Sequence, residues 1–364
     1  MADEHGSVED IQSQFVSEAK QAPLLFSDLA KVELYIAETY RTRAFVELLQ
    51  NADDARAKTF VISYENNKLV VANDGAAFSL NDLMALCRSG SSTKTRGAGT
   101  IGYRGIGFKS VVGIANEIDV ISGDYAFRFS KEMTKSSLNI DQDVPLIRIP
   151  HHIDNSDPSV KLARSFQQTH GVTTVFLMSG INQRVVEEEI RLFDETSVLF
   201  LNSVKTLNID VQGLNKKIVR KSEKHAGLHI ETIVSGEDHM SWIVAGQKNG
   251  CEKVAVKYDD NKIITSKAEE SVIHAFLPTQ EYSGGNLKLN GDFSTDPSRK
   301  SVDLDERSIR AFNVCASLLS DMLREAVSNH SLSGIFSTLA SNPNSSGRFR
   351  EILRKERLFR KICG

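Results

Sequence analysis

Three oxygen-bearing side chains between Phe45 and Ala55 have the types and spacing to do chemistry. Glu47, Asn51 and Asp54 recur at the i, i+4 and i+7 positions that share one face of a helix. No lysine or arginine interrupts that face. A neutral amide oxygen beside carboxylates suits a hard cation such as Mg²⁺, which keeps several of its waters. The pattern therefore predicts a cation site with a positioned water, and a solvated helix face is the alternative.

A helix that presents this face must bury its other side. Phe45, Leu48, Leu49 and Ala52 fall on the opposite face with the period of a buried stripe. The apolar period extends from Leu29 to Ala57, which is long enough for one bent helix or two successive helices. We expect this helical region to position the three polar side chains.

A second informative stretch runs from Leu69 to Gly75 and indicates a short buried strand that ends in a turn. Asp74 stands at the end of that strand, and Gly75 would let a ligand approach the backbone closely. An ionised carboxylate only accepts hydrogen bonds, so it suits the exocyclic amine of adenine and repels the carbonyl of guanine. Taken alone, the same residues would predict no more than a hairpin turn.

A third stretch, residues 97–110, is rich in glycine and leads into a predicted helix. Its GxGxxG match lacks the preceding strand that a dinucleotide fold requires. Its Walker A glycine spacing fails because Phe108 separates Gly107 from Lys109, so the lysine does not directly follow its glycine. A mobile lid over Arg88–Arg104 remains, followed by free backbone N–H groups that suit a triphosphate.

The order of these three motifs resembles the GHKL ATP-binding family of gyrase, the ninety-kilodalton heat-shock chaperone, histidine kinases and MutL. The segments ELLQNADDA, NDG and IGYRGIGFKSV are most similar to the sacsin and plant NO VEIN branch of that family. The resemblance covers residues 30–180 well and extends more weakly to about residue 305. Three motifs in the right order and spacing make it specific.

The resemblance implies roles for individual residues. In the family the matching glutamate polarises the attacking water as general base and the matching asparagine carries Mg²⁺, which assigns these roles to Glu47 and Asn51. The matching aspartate binds adenine, which assigns Asp74. The family's usual DxGxG pattern is absent, because two alanines follow the glycine of this turn. The other ATP-binding residues that the resemblance implies are Gly75, Gly102, Gly105, Ile106, Gly107, Phe108 and Lys109.

Two further residues match the family outside these motifs. Thr174 falls on a β-branched strand where the family places a threonine near adenine and its bridging water, although threonine is also a good strand residue. Arg299 lies in a loop that resembles the one by which GHKL middle domains send a basic residue to the γ-phosphate. Guanidinium geometry matches phosphate oxygens, and a surface ion pair is the alternative.

The resemblance implies an α/β fold with four parts. An N-terminal arm (residues 1–25) precedes a two-layer α/β sandwich of the Bergerat ATP-binding type (26–180), in which helices cover one face of a mainly antiparallel sheet. A smaller α/β domain resembling the ribosomal-S5-like transducer (181–304) and a C-terminal helical segment (305–364) follow. Residues 146–149 are predicted to be a strand, and His151-His152 a surface loop rather than a metal site.

Composition excludes several other classes of protein. The formal net charge of −3 provides no basic field for nucleic acid, and no apolar run approaches the roughly 20 residues of a membrane span. Four scattered cysteines predict a reduced compartment, the cytosol or the nucleus. The basic helix predicted at 348–361 leaves DNA binding open, but it is not favoured.

The function predicted from the resemblance is a slow, Mg²⁺-dependent ATPase in which lid closure over ATP drives a conformational switch. Chaperone-like work, or regulation within a larger system such as antiviral defence, follows by analogy. The expected partners are ATP and a protein client, partner or further domain, with a homodimer left open and no membrane. An ATP-sensing scaffold without turnover and a DNA-handling ATPase of the MutL or topoisomerase kind are the alternatives.

Overall fold

The computed structural model describes residues 7–39, 43–88, 107–211, 213–225, 228–247, 250–296, 300–328 and 334. The chain forms two compact units. The first comprises Met1–Asp194 and Asn202–Lys217, and the second comprises Glu195–Leu201 and Ile218–Gly364. In the described parts of the chain, no helix is both long and apolar enough to cross a membrane.

The first unit combines helices with a seven-stranded sheet. Its helices are α1 (Val8–Gln21), α2 (Pro23–Thr39), α3 (Ala44–Asp54), α4 (Leu80–Cys87), a 3₁₀ helix (Gly107–Gly113), α5 (Lys131–Leu138), α6 (Pro158–His170) and α7 (Gln183–Leu192). Its strands are β1 (Thr59–Glu65), β2 (Lys68–Asn73), β3 (Glu117–Ser122), β4 (Tyr125–Ser130), β5 (His151–His152), β6 (Thr174–Ser179) and β7 (Thr206–Val211). The order is β7-β1-β2-β6-β3-β4-β5. All neighbours are antiparallel except β1 and β7.

Both faces of this sheet are buried. One face packs against α6 through a shared apolar core, which includes Val70, Val175 and Phe166. The other face carries Phe176, whose ring contacts those of Phe78 and Phe108. Phe108 belongs to the 3₁₀ helix, which in turn packs against α2 and α3. The predicted α/β architecture is confirmed, and α6 adds a helix on the second face.

The second unit contains β8 (Leu214–His225) from Ile218 onward, β9 (Leu228–Ser235), β10 (Asp238–Gly246), β11 (Lys253–Asp259), β12 (Lys262–Ile263), β13 (Val272–Ala275), β14 (Leu277–Tyr282), β15 (Lys288–Asn290) and α8 (Glu306–Ser328). The strand order is β14-β13-β15-β11-β10-β9-β8, with β12 paired to β11. Helix α8 shares an apolar core with this sheet. Helix α7 lies in the first unit and α8 in the second. The predicted domain boundaries at 180 and 304 stay predictions.

Three predictions of local structure differ from what is observed. The N-terminal arm contains α1, whose residues Val8, Ile11, Phe15 and Ala19 are buried. Their spacing of three and four residues is that of a helix stripe within a polar run. Residues 146–149 form no strand, and the strand β5 lies at 151–152 instead. His151 is buried rather than on a surface loop, with hydrogen bonds to Gln12 and Thr134.

Candidate functional site

The helix α3 carries the predicted cation face. Its stripe of Phe45, Leu48, Leu49 and Ala52 is buried, as predicted. Glu47 is also buried, with 3% of its surface exposed, whereas Asn51 and Asp54 are partly exposed. A carboxylate that is removed from water in this way does not belong to a solvated helix face. Glu47 and Asn51 remain one turn apart on α3, as the predicted site requires.

Glu189 of α7 caps the start of α3. Phe45 N donates to Glu189 Oε1 at 2.5 Å, whereas the side chain of the N-cap residue, Arg43, makes no capping hydrogen bond to the helix. The first amides of a helix need outside acceptors, so this contact fixes the turn that carries Glu47. Burial raises the pKa of Glu189 to about 8; the Phe45 amide and Arg43 oppose the shift, and Glu47 adds to it.

Asp53 holds the other end of α3. Its Oδ1 accepts from Ser203 N at 2.7 Å and Val204 N at 2.9 Å, and its Oδ2 accepts from Asn202 N at 2.9 Å. A carboxylate in the last turn opposes the helix dipole, so a specific tertiary role is needed to account for it. The patterns in the sequence predicted no role for Asp53 or Glu189. A role for Glu189 could have been inferred from its position, because an acidic residue between the apolar Val186 and Ile190 falls on the buried stripe of α7.

Gly107, the first residue of the 3₁₀ helix, lies directly against Glu47. A β-carbon at position 107 would overlap the Glu47 carboxylate, so any other residue there would require that carboxyl to move. Gly107, three residues after the predicted lid, and the predicted general base are therefore in contact. This contact supports the prediction that Gly107 belongs to the same site as Glu47.

We expect Gly107→Ala to lower any turnover at this site while leaving the fold intact, because the Glu47 carboxyl would have to move. A displacement of about 1 Å in a catalytic group costs on the order of a hundredfold in rate. The matched control is Gly113→Ala in the same 3₁₀ helix, where the nearest heavy atoms lie 3.6 Å from an added β-carbon. Steady-state hydrolysis and thermal melts of both variants measure the difference. Equal rates in the two variants would contradict the proposed role of this contact.

Lys109 and Phe108 make contacts within the first unit. The Lys109 ammonium donates to the carbonyl of Ile147 at 2.7 Å and lies 3.6 Å from Glu33 Oε1. Burial lowers the pKa of Lys109, and Glu33 opposes that shift. The contact predicted between the Lys109 side chain and phosphate stays a prediction; in this conformation the ammonium binds α2. Phe108 packs on Phe176 with ring centroids 5.4 Å apart.

The turn after β2 packs against the end of α3. Asp74 Oδ1 accepts from Lys58 N at 2.6 Å and Thr59 N at 2.8 Å, which fixes the start of β1. A β-carbon at Gly75 would come within 2.7 Å of the carbonyl oxygen of Ala55. Glycine is therefore required here by the neighbouring helix. The adenine contact of Asp74 and the ligand approach at Gly75 stay predictions.

Asn73, the residue before Asp74, shares a sheet face with Thr174. Cross-strand partners of antiparallel pairs lie on the same face, and Asn73 pairs with Thr174, which pairs in turn with Ser122. Thr174 is two residues from Phe176, so this is the face covered by the 3₁₀ helix. The Ser122 and Thr174 hydroxyls are 2.6 Å apart. The structure thus brings Thr174 to the end of β2, with Asn73 beside it. The contact of Thr174 with adenine stays a prediction.

Four predicted site residues lie outside the described part of the chain: Gly102, Gly105, Ile106 and Arg299. The same holds for most of the predicted lid. The candidate site therefore consists of α3, the turn at 73–75, the end of β6 and the 3₁₀ helix.

The motif order and this fold are those of a GHKL-type ATPase domain. Residues 39–157 match the family described as "Histidine kinase-, DNA gyrase B-, and HSP90-like ATPase", which places this part of the chain in the GHKL family. The chain is also similar to Protein NO VEIN of Arabidopsis thaliana, with 26% identity over 305 residues. That alignment covers 75% of this chain and 11% of the relative, so the chain spans a small part of that protein. The predicted resemblance to the NO VEIN branch is confirmed.

One solved structure is similar in fold, the crystal structure of the N-terminal domain of a DNA repair protein. Its TM-score is 0.41 with 16% sequence identity, and the alignment covers 80% of this chain and 97% of that one. A similarity at this level carries no argument about what this chain binds.

Proposed function

We propose that the chain is a Mg²⁺-dependent ATP-binding and ATP-hydrolysing module. The observation that carries the proposal is the buried carboxyl of Glu47, which lies one helical turn from Asn51 and in contact with Gly107. Family membership supports ATP as the nucleotide. Glu47 would orient and deprotonate the attacking water, and general bases of this kind typically contribute about 10²–10⁴ in rate.

The donors present fit Mg²⁺. Asn51 offers a partly exposed amide oxygen on the same helix as Glu47. Mg²⁺ takes few protein ligands and completes its shell with waters and substrate phosphates, so one amide oxygen is a sufficient protein contribution. Bound there, the ion would neutralise phosphate charge. Asp54 would contact the waters bound to this ion. The alternative is that Asp54 lies on the helix surface without contact to the ion.

The test is the Mg²⁺ dependence of ATP binding in Asn51→Ala. We expect the Mg²⁺ concentration for half-maximal binding to rise at least about tenfold, since even indirect partners of a metal contribute roughly 10- to 100-fold to affinity. Calorimetric ATP titrations at stepped Mg²⁺ measure it. Gln14→Ala, an exposed side chain on α1, is the control and should leave the dependence unchanged. An unchanged dependence in Asn51→Ala would remove the metal assignment.

The wider role proposed is an ATP-driven conformational switch with a chaperone-like or regulatory task, with antiviral defence one setting. Family membership and similarity to NO VEIN support a regulatory ATPase module, and the partner, client or homodimer stays a proposal. Arg299 stays the proposed cation for the γ-phosphate. A scaffold that binds ATP without turnover is the second candidate, and Glu47 variants separate the two.

A further inference from the structure

The end of β2 offers the predicted purine site an amide rather than a carboxylate. Asn73 pairs with Thr174 on the sheet face that the 3₁₀ helix covers, whereas successive residues of a strand point to opposite faces. Asp74 stands one residue later, and its Oδ1 already accepts two backbone N–H groups at the start of β1. The side chain that shares the face of Thr174 is therefore that of Asn73.

The orientation of the Asn73 amide is fixed by its neighbour. Gly75 N donates to Asn73 Oδ1 at 3.0 Å, and because a backbone N–H only donates, the atom it contacts must be the oxygen. The Asn73 nitrogen remains as a donor, and it makes no hydrogen bond within the part of the chain that the structure describes. Beside it, the Ser122 and Thr174 hydroxyls bond to each other with either one as donor, and Ser122 Oγ also accepts from Phe78 N at 2.9 Å.

The hydrogen-bonding groups at the end of β2 differ from those that an aspartate would offer to a base. A carboxylate accepts from the amine at C6 of adenine and repels a carbonyl at the same position. An amide nitrogen donates to a carbonyl at C6 and can equally donate to N1 of adenine. The Ser122–Thr174 pair keeps one O–H group that can donate and lone pairs that can accept. Asn73, Ser122 and Thr174, the polar residues described on this face at the end of β2, carry no charge that would exclude a 6-oxopurine.

We propose that the nucleotide site accepts purine triphosphates with a carbonyl at C6 as well as ATP, with Asn73 as the residue that determines this tolerance. The inference rests on the proposed nucleotide binding and names the class of base that the site takes. Inosine triphosphate is the probe, because it differs from ATP at C6 without adding the second amine of guanine.

The first measurement compares ATP and inosine triphosphate on the intact chain with Mg²⁺, as their non-hydrolysable imido analogues, by calorimetry. We expect dissociation constants within about tenfold of each other. Inosine binding more than about a hundredfold weaker than adenosine binding would overturn the inference and leave the proposed function standing. Failure of both analogues to bind would instead refute the proposed function, and the inference with it.

The second measurement uses Asn73→Asp, which keeps the shape and the acceptor for Gly75 N but replaces the donor with a charge. We expect the preference for ATP over inosine triphosphate to rise by about 10- to 100-fold, the effect of facing a carbonyl with an acceptor that cannot pair. Asp74→Asn tests the competing assignment, and we expect it to leave the ratio unchanged because Asp74 Oδ1 binds the backbone N–H groups of Lys58 and Thr59. A ratio that responds to Asp74→Asn and not to Asn73→Asp would assign base recognition to Asp74 and overturn the inference. Melting curves for both variants establish that each is folded.

Discussion

Glu47→Gln should abolish most ATP turnover while ATP still binds. The amide keeps the size of the buried side chain but cannot take a proton from water, so the rate should fall by about 10²–10⁴. Binding should persist because the residues proposed to contact base and metal are unchanged. Single-turnover hydrolysis at saturating ATP is the measurement, with calorimetry for affinity.

Glu132→Gln is the matched control, since that glutamate is exposed on α5 and lies outside the candidate site. It should hydrolyse ATP at the native rate. Two results would count against the proposed reaction. Native turnover in Glu47→Gln would show that Glu47 is not the general base. If the unmodified chain binds ATP but does not hydrolyse it, the second candidate function, a scaffold that binds ATP without turnover, would be favoured.

Asp53→Ala should cause the largest loss of stability among the substitutions considered. The side chain is buried and accepts three backbone N–H groups from residues 202–204. Hydrogen bonds to a charged group contribute roughly 1.5–3 kcal/mol each before compensation, and a buried donor left without a partner costs roughly 1–3 kcal/mol. Since such terms are not additive, we expect a loss of about 2–5 kcal/mol in the free energy of unfolding.

Urea denaturation measures this loss, with Asp28→Ala as the control. Asp28 is exposed on α2, where it forms an ion pair with the exposed Lys31, so its removal should cost less than about 1 kcal/mol. Asp53→Asn should fall between the two, because one oxygen remains to accept. A midpoint for Asp53→Ala equal to that of the control would show that the three contacts do not hold α3.

Period and motif order were sufficient to predict α3, its buried stripe and the family. The face of β2 was harder, because Leu69, Val70, Val71 and Ala72 are all fully buried and apolar. A strand that is buried on both faces shows no alternation of polar and apolar residues. Its sequence therefore does not indicate whether Asn73 or Asp74 faces the site. The register with β6 supplies that information.

The contacts that position α3 could not be predicted from the sequence, for a different reason. Glu189 lies 144 residues from Phe45, and Asn202 lies 149 residues from Asp53. Local propensity and spacing describe neighbours in the chain and carry no information about partners this distant. The helix α1 was missed for a local reason, because its four buried residues are spread through a polar segment. Pro23 is the first residue of α2, a position that suits proline.

Both ends of α3 are tied to the stretch of chain that surrounds residues 195–201, the first part of the chain to belong to the second unit. Glu189, just before that stretch, caps the start of the helix, and residues 202–204, just after it, bind Asp53 at its end. Because each end of α3 is held by a segment that is distant in sequence, the helix cannot turn about its axis or slide along it without breaking a hydrogen bond at one end. The direction of the Glu47 carboxyl is therefore set from both ends of the helix.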